Sequence, residues 1–140
     1  MNDPDETTPS AKPFRILLVE DDDDDADLFR WSMSRQAFPY ILERVATLEE
    51  FLIISRDGDF DVVLLDLHLP RVHRYDGIAT VREHAPGALL VVLTGLADTL
   101  TAAEAILAGA DDYVLKSIDA DGIRRSILSA WERNSHGLRS

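Results

Sequence analysis

The sequence predicts an α/β fold in which one parallel sheet is covered by helices on both faces. Three observations carry this. The runs "ILLV", "VVLLDL" and "ALLVVLT" are almost continuously hydrophobic, as strands buried on both faces are. Segments with helical spacing alternate with such runs, giving five strands and five helices, the pattern of right-handed crossovers. At 140 residues, with no internal repeat and nothing marking a second domain, one continuous core is expected.

Residues 1–12 are polar, contain Pro4 and Pro9, and read as a disordered lead-in. The domain proper is expected over 13–134, with a tail at 135–140. The first strand is placed at Arg15–Glu20. A helix follows near 24–37, where Ala26, Phe29, Met33 and Ala37 form one stripe. The second strand is Tyr40–Val45. Thr47 then opens a helix, because Glu50 completes a capping box ahead of "FLII". Asp61–Asp66 is the third strand, and 75–84 a shorter helix. Ala88–Thr94 is the fourth strand. In the helix over 98–108, Ala102, Ala105 and Ile106 line up ahead of Gly109, a natural C-terminal stop. Asp112–Lys116 is the fifth strand, and Ile123, Ile127, Ala130 and Trp131 share one face of a last helix over 120–134.

Composition excludes several functions. A formal net charge of −12 argues against nucleic-acid binding and against docking on anionic membranes. The absence of cysteine removes disulfides, thiolate metal sites and thiol nucleophiles. The N-terminus lacks the basic start and apolar core of a signal peptide, and no apolar run approaches the roughly 20 residues that span a bilayer. A cytoplasmic location is therefore expected.

Ligands of open parallel sheets bind beyond the carboxyl ends of the strands. The first strand runs into six consecutive acids, Glu20–Asp25; the third ends in Asp66, the fourth in Thr94 and the fifth in Lys116. Clustered carboxylates disfavour one another's ionisation unless a cation compensates. Hard oxygen ligands suit Mg²⁺ (or Mn²⁺). A hydroxyl and an ammonium facing the same point would stabilise an incoming anion, so the set specifies phosphoryl chemistry on an aspartate.

On the stretches "ILLVEDD", "VVLLDLHLP", "VVLTG" and "DYVLK", in order and in register with the strand–helix alternation, the chain resembles the receiver domain of bacterial two-component response regulators over residues 14–134. The resemblance implies a flavodoxin-like (βα)5 sandwich with strand order 2-1-3-4-5. It makes Asp66 the phosphoacceptor and Asp21 a direct Mg²⁺ ligand alongside Asp66, with Glu20 acting through a metal-bound water and the backbone carbonyl of His68 completing the protein ligands. Thr94 would hydrogen-bond the phosphoryl group on switching, Lys116 would pair with a phosphoryl oxygen, and Tyr113 matches the aromatic residue that turns during switching. The partners implied are a histidine kinase or histidine phosphotransfer protein, an unidentified effector, and a second copy through the fourth helix, fifth strand and fifth helix. Trp31, off the apolar stripe of the first helix, is a candidate contact for the phosphodonor. Such a domain is a regulatory phosphoacceptor that catalyses its own modification rather than a metabolic enzyme.

Two positions depart from the family pattern. Arg74 stands where most receivers have glycine, four residues after Pro70, in a loop that also carries Arg71 and His73. Ser117 replaces the usual proline after Lys116, and a trans bond is expected there because a cis bond before a non-proline residue costs roughly 2.5–4 kcal/mol. Asp23, Asp24 and Asp25 are read as acids complementing a helix N-terminus. His68 and His73 lack a third ligand at metal-motif spacing, and the aspartate run lacks the glycine and closing glutamate of an EF-hand loop. About six residues follow the last helix, so a stand-alone receiver is expected, an excised one being the other form. The competing function is a pseudo-receiver that binds partners without phosphorylation. A haloacid-dehalogenase-type phosphatase would need aspartate where His68 stands, and flavin binding would need a phosphate-cradling loop where the acids lie.

Overall fold

The computed structural model describes residues 13–35, 39–73, 75–95, 99–116, 124–129 and 132. The expected lead-in over 1–12, the tail over 135–140, Ala37, Arg74, Ser117 and, of the face expected on the last helix, Ile123, Ala130 and Trp131 lie outside them. Five strands, β1 (Phe14–Val19), β2 (Tyr40–Val45), β3 (Val62–Asp66), β4 (Leu89–Thr94) and β5 (Asp112–Leu115), form one parallel sheet in the order 2-1-3-4-5, as expected. The helices are α1 (Asp23–Met33), α2 (Leu48–Ile54), α3 (Asp76–His84), α4 (Thr99–Ala108) and α5, described over 124–129. Among the described residues, no helix is long and apolar enough to cross a membrane.

Alternation along each strand divides the core in two. Leu17, Val19, Val63, Leu65, Leu90 and Val92 pack beneath α2, α3 and α4 with Phe51, Ile78, Val81 and Ala105. Ile16, Leu18, Val62, Leu64, Val91 and Leu93 face the other way, onto Ala26, Phe29 and Met33 of α1 and Ile127 of α5. Both faces are dry, which is why β1, β3 and β4 read as unbroken apolar runs.

Helix boundaries follow local chemistry. Asp22 caps α1 by accepting the Asp25 N–H at 3.0 Å, and Thr47 caps α2 by accepting that of Glu50 at 3.1 Å. Glu50 answers from its own carboxylate by accepting the N–H of Ala46, one residue before the cap, so the Thr47 half of the expected box forms and the return bond is displaced by one residue. Helix α1 ends at Met33, earlier than its apolar stripe suggested, and Pro39 begins the approach to β2. At the end of α4, Gly109 has φ +124°, a conformation side chains rarely adopt, and an added Cβ would lie 3.2 Å from the Arg82 side chain. One expectation fails on α4. Thr101 and Ala105 face the core whereas Ile106 is exposed, because the helix is apolar almost all round and its sequence does not single out a face.

Candidate functional site

Parallel register brings the strand ends to one edge. Val19 pairs with Leu65, Asp66 with Leu93, and Thr94 with Leu115, so Glu20, Asp66, Thr94 and Lys116 emerge side by side. The Lys116 N–H donates to the Thr94 carbonyl at 2.7 Å, which fixes the lysine directly above the sheet edge. A cleft of about 490 Å³ opens there, lined by Glu20, Asp21, Asp22, Asp25, Leu28, Asp66, His68, Gly95 and Lys116.

Carboxylate oxygens of Glu20, Asp21 and Asp66 lie within 4.8 Å of one another, with Glu20 and Asp66 buried and Asp21 exposed. Three such oxygens around one point are a hard-cation donor set, and two of them cannot be screened by water. The compensation in the protein itself is Lys116, whose Nζ lies 2.8 Å from Glu20, 2.8 Å from Asp25 and 3.6 Å from Asp66. Burial pushes the Glu20 carboxyl up to about 7, against the lowering effect of its hydrogen bond from Lys116 and helped by the charge of Asp66. For Lys116, burial works to lower the pKa, but hydrogen bonds to Asp25 and Glu20 and the charges of Asp66 and Glu20 outweigh it and hold the ammonium above its ordinary value.

Asp66 is held in one orientation because its Oδ1 accepts the His68 N–H at 3.0 Å. The His68 ring turns back to Thr94, with Nε2 3.2 Å from Oγ1. His68 thus touches both sequence-predicted partners, Asp66 and Thr94, and its ring contact was not foreseen. Thr94 is fully buried. Tyr113 is half-buried against the core beneath α2, α3 and α4, on the strand that ends in Lys116. Trp31 is 58% exposed, with the Arg35 guanidinium 5.1 Å from its ring, and the exposed Leu28 one turn earlier forms part of the cleft wall. His73 is exposed and outside the carboxylate cluster.

The six acids divide by role. Glu20 and Asp21 enter the cluster, Asp22 caps α1, and Asp24 is exposed. Asp23 pairs with Arg44 at 2.9 Å. Asp25 pairs with Lys116, so complementing the helix end is not its whole role. Sequence reasoning missed Asp25 and also Arg44, whose Nε donates to the Glu20 carbonyl at 2.8 Å and whose side chain is 14% exposed. Neither had a local signal, because each is partnered by a residue of a distant element.

Comparison with known proteins agrees with this geometry. The family model described as response regulator receiver domain matches residues 16–128. The photosynthetic apparatus regulatory protein RegA of Rhodovulum sulfidophilum is 34% identical over 84% of this chain and 63% of its own length. The cell cycle transcriptional regulator CtrA of Caulobacter vibrioides is 29% identical over 86% of this chain, which spans about half of it, 51%. A response regulator protein from Burkholderia pseudomallei, solved with a phosphorylated aspartic acid, calcium ion and citrate, is 27% identical with TM-score 0.71, covering 90% of this chain and 71% of that one.

Proposed function

Because the chain belongs to the response regulator receiver domain family, we propose that it accepts a phosphoryl group on Asp66 from a phosphohistidine of a kinase or phosphotransfer protein and reports that event to a partner. The observation that carries this reading is the convergence of Glu20, Asp21, Asp66 and Lys116 at one sheet edge.

The carboxylate set fits a hard divalent cation, and we assign Mg²⁺, or Mn²⁺, to it: Asp21 and Asp66 as direct ligands, the His68 carbonyl as a third, and Glu20 through a water. When bound, the ion would supply positive charge to the oxygens of the transferring group. The protein's own residues do the rest. The His68 N–H fixes Asp66 Oδ1 and leaves Oδ2 on the side of Lys116. An Asp66 oxygen bonds to phosphorus while the bond from phosphorus to the donor's imidazole nitrogen breaks, and the imidazole leaves with the electron pair. Lys116 then pairs with a phosphoryl oxygen and Thr94 donates its hydroxyl to another, giving up the His68 ring.

Thr94 leads directly into the segment before α4, so its movement is transmitted toward α4, β5 and α5. On α4, Leu100 and Leu107 are exposed, which supports this surface as the effector or second-copy contact. Tyr113, on β5, is its candidate rotating residue. Leu28 lines the cleft and Trp31, three residues further along α1, is exposed, and the pair supports phosphodonor docking there. We place no nucleic-acid or membrane contact on this domain, given its charge of −12, and assign it to the cytoplasm. No observation favours the pseudo-receiver reading, since Glu20, Asp21, Asp66 and Lys116 all line the cleft and Thr94 lies behind it against the His68 ring.

The test is intact-protein mass after incubation with an acyl phosphate, with and without Mg²⁺, for the wild type and Asp66→Asn. A metal-dependent phosphoryl adduct lost in the variant is the expected result. A folded wild type that takes neither Mg²⁺ nor label would overturn the reading.

A further inference from the structure

We infer that Asp25 is a positioning residue that restrains Lys116 in the resting domain and slows phosphoryl transfer to Asp66. The inference rests on the phosphoacceptor reading and adds to it a control of rate built from one residue of the acidic run.

An ammonium has three donors, and Lys116 aims Nζ at Glu20 and Asp25, 2.8 Å from each, while Asp66 lies beyond hydrogen-bond reach at 3.6 Å. The group that must meet the incoming phosphoryl oxygens is therefore engaged elsewhere. The third donor is left on the side of Asp66, and bringing Nζ closer to a phosphoryl group there stretches one of its two short contacts. Those two are unequal. The Glu20 side chain is 2% exposed, so losing the lysine would leave a buried carboxylate without its cation. The Asp25 side chain is 45% exposed and is rehydrated as soon as the lysine leaves. The contact with Asp25 is thus the one that opens.

Position 25 can do this because α1 begins at Asp23 with Asp22 as its cap, which sets the first helical turn over the ends of β1 and β5. Asp24, in the same turn and of the same charge, is exposed and makes no contact with Lys116. That neighbour separates two explanations. If Asp25 acted only by repelling an anionic donor, neutralising Asp24 would have a similar effect. If it acts by holding Lys116, only Asp25 matters.

The experiment measures the rate of phosphoryl adduct formation with acetyl phosphate at saturating Mg²⁺, by intact mass, for wild type, Asp25→Asn, Asp25→Glu, Asp24→Asn and Asp66→Asn. In the reaction the Asp66–phosphorus bond forms, the bond from phosphorus to the acyl oxygen breaks, and acetate leaves. Asp25→Asn is expected to label about two- to fivefold faster, the scale on which a partly exposed ion pair shifts an equilibrium. Asp25→Glu keeps the anion and Asp24→Asn keeps the contact, so both stay near the wild-type rate. Asp25→Ser, tested with its thermal melt, repeats the measurement should the asparagine perturb the helix start. Equal or slower labelling of folded Asp25→Asn and Asp25→Ser overturns the inference while leaving the phosphoacceptor reading intact, and so does equal acceleration by Asp24→Asn. A wild type without label, like Asp66→Asn, sinks the phosphoacceptor reading itself and the inference with it.

Discussion

Replacing Glu20 with glutamine should make the metal-free protein more stable at neutral pH and less able to bind Mg²⁺. Glu20 is 2% exposed and sits between Asp66 and Lys116. Burial first, then the charge of Asp66, raises its pKa from 4.5 to about 7 despite the opposing hydrogen bond from Lys116. The folded chain therefore keeps this proton up to about pH 7, whereas the unfolded chain releases it near 4.5. Between those values the native state binds more protons, so this group's contribution to stability is full below 4.5 and falls until it is lost above about 7. At roughly 1.4 kcal/mol per unit, the rise from 4.5 to about 7 corresponds to about 3 kcal/mol. Lys116, held above its ordinary value, stays protonated throughout this window and adds no slope. Glutamine mimics the protonated acid, so the assay is urea unfolding of both proteins in a chelator at several pH values from 4.5 to 8. The variant's advantage should start near zero, grow through the window and level off at about 3 kcal/mol. Saturating Mg²⁺ should shrink the gap, because the cation favours the charged carboxylate. A gap that is flat with pH, or a variant less stable than wild type at pH 8, would refute the account of Glu20 as a buried acid awaiting a cation.

Two further outcomes follow from the same geometry. Arg44→Gln removes a positive charge near the carboxylate cluster, which by charge alone would tighten Mg²⁺ binding; loss of its hold on the Glu20 carbonyl and Asp23 should instead weaken binding roughly tenfold, as read by calorimetric titration. Replacing Leu28 and Trp31 together with alanine should slow phosphotransfer from a phosphohistidine donor protein and leave acyl-phosphate labelling unchanged, since both side chains are 58% exposed or more and neither carries reacting atoms.

The fold was legible because burial on both faces leaves a one-dimensional trace. A strand such as Val62–Asp66, with every residue buried, can only be written as an apolar run, and its polar last residue marks where the core ends. The cap at Thr47 and the stop at Gly109 were legible for a similar reason, since each satisfies backbone geometry within a few residues. What failed was the orientation of α4. Its sequence is apolar almost all round, and whether Thr101 or Ile106 faces inward depends on how the helix lies on the sheet, which no local pattern encodes.

The acidic run shows where site reading stops. Its position after β1 is enough to send Glu20 and Asp21 toward the end of β3, because parallel register fixes those strand ends together. Asp22 is recoverable too, being one residue before a helix. The fates of Asp23 and Asp25 are different, because each is decided by a cation from a distant element, Arg44 on β2 and Lys116 after β5. A carboxylate on an exposed helical turn costs little whether it is paired or solvated, so the sequence carries no trace of the choice. The same weakness makes such a pair useful. A buried ion pair beside Asp66 would resist the exchange of partners that the proposed phosphoryl transfer requires, whereas one open to water on the Asp25 side can be broken and remade at little cost.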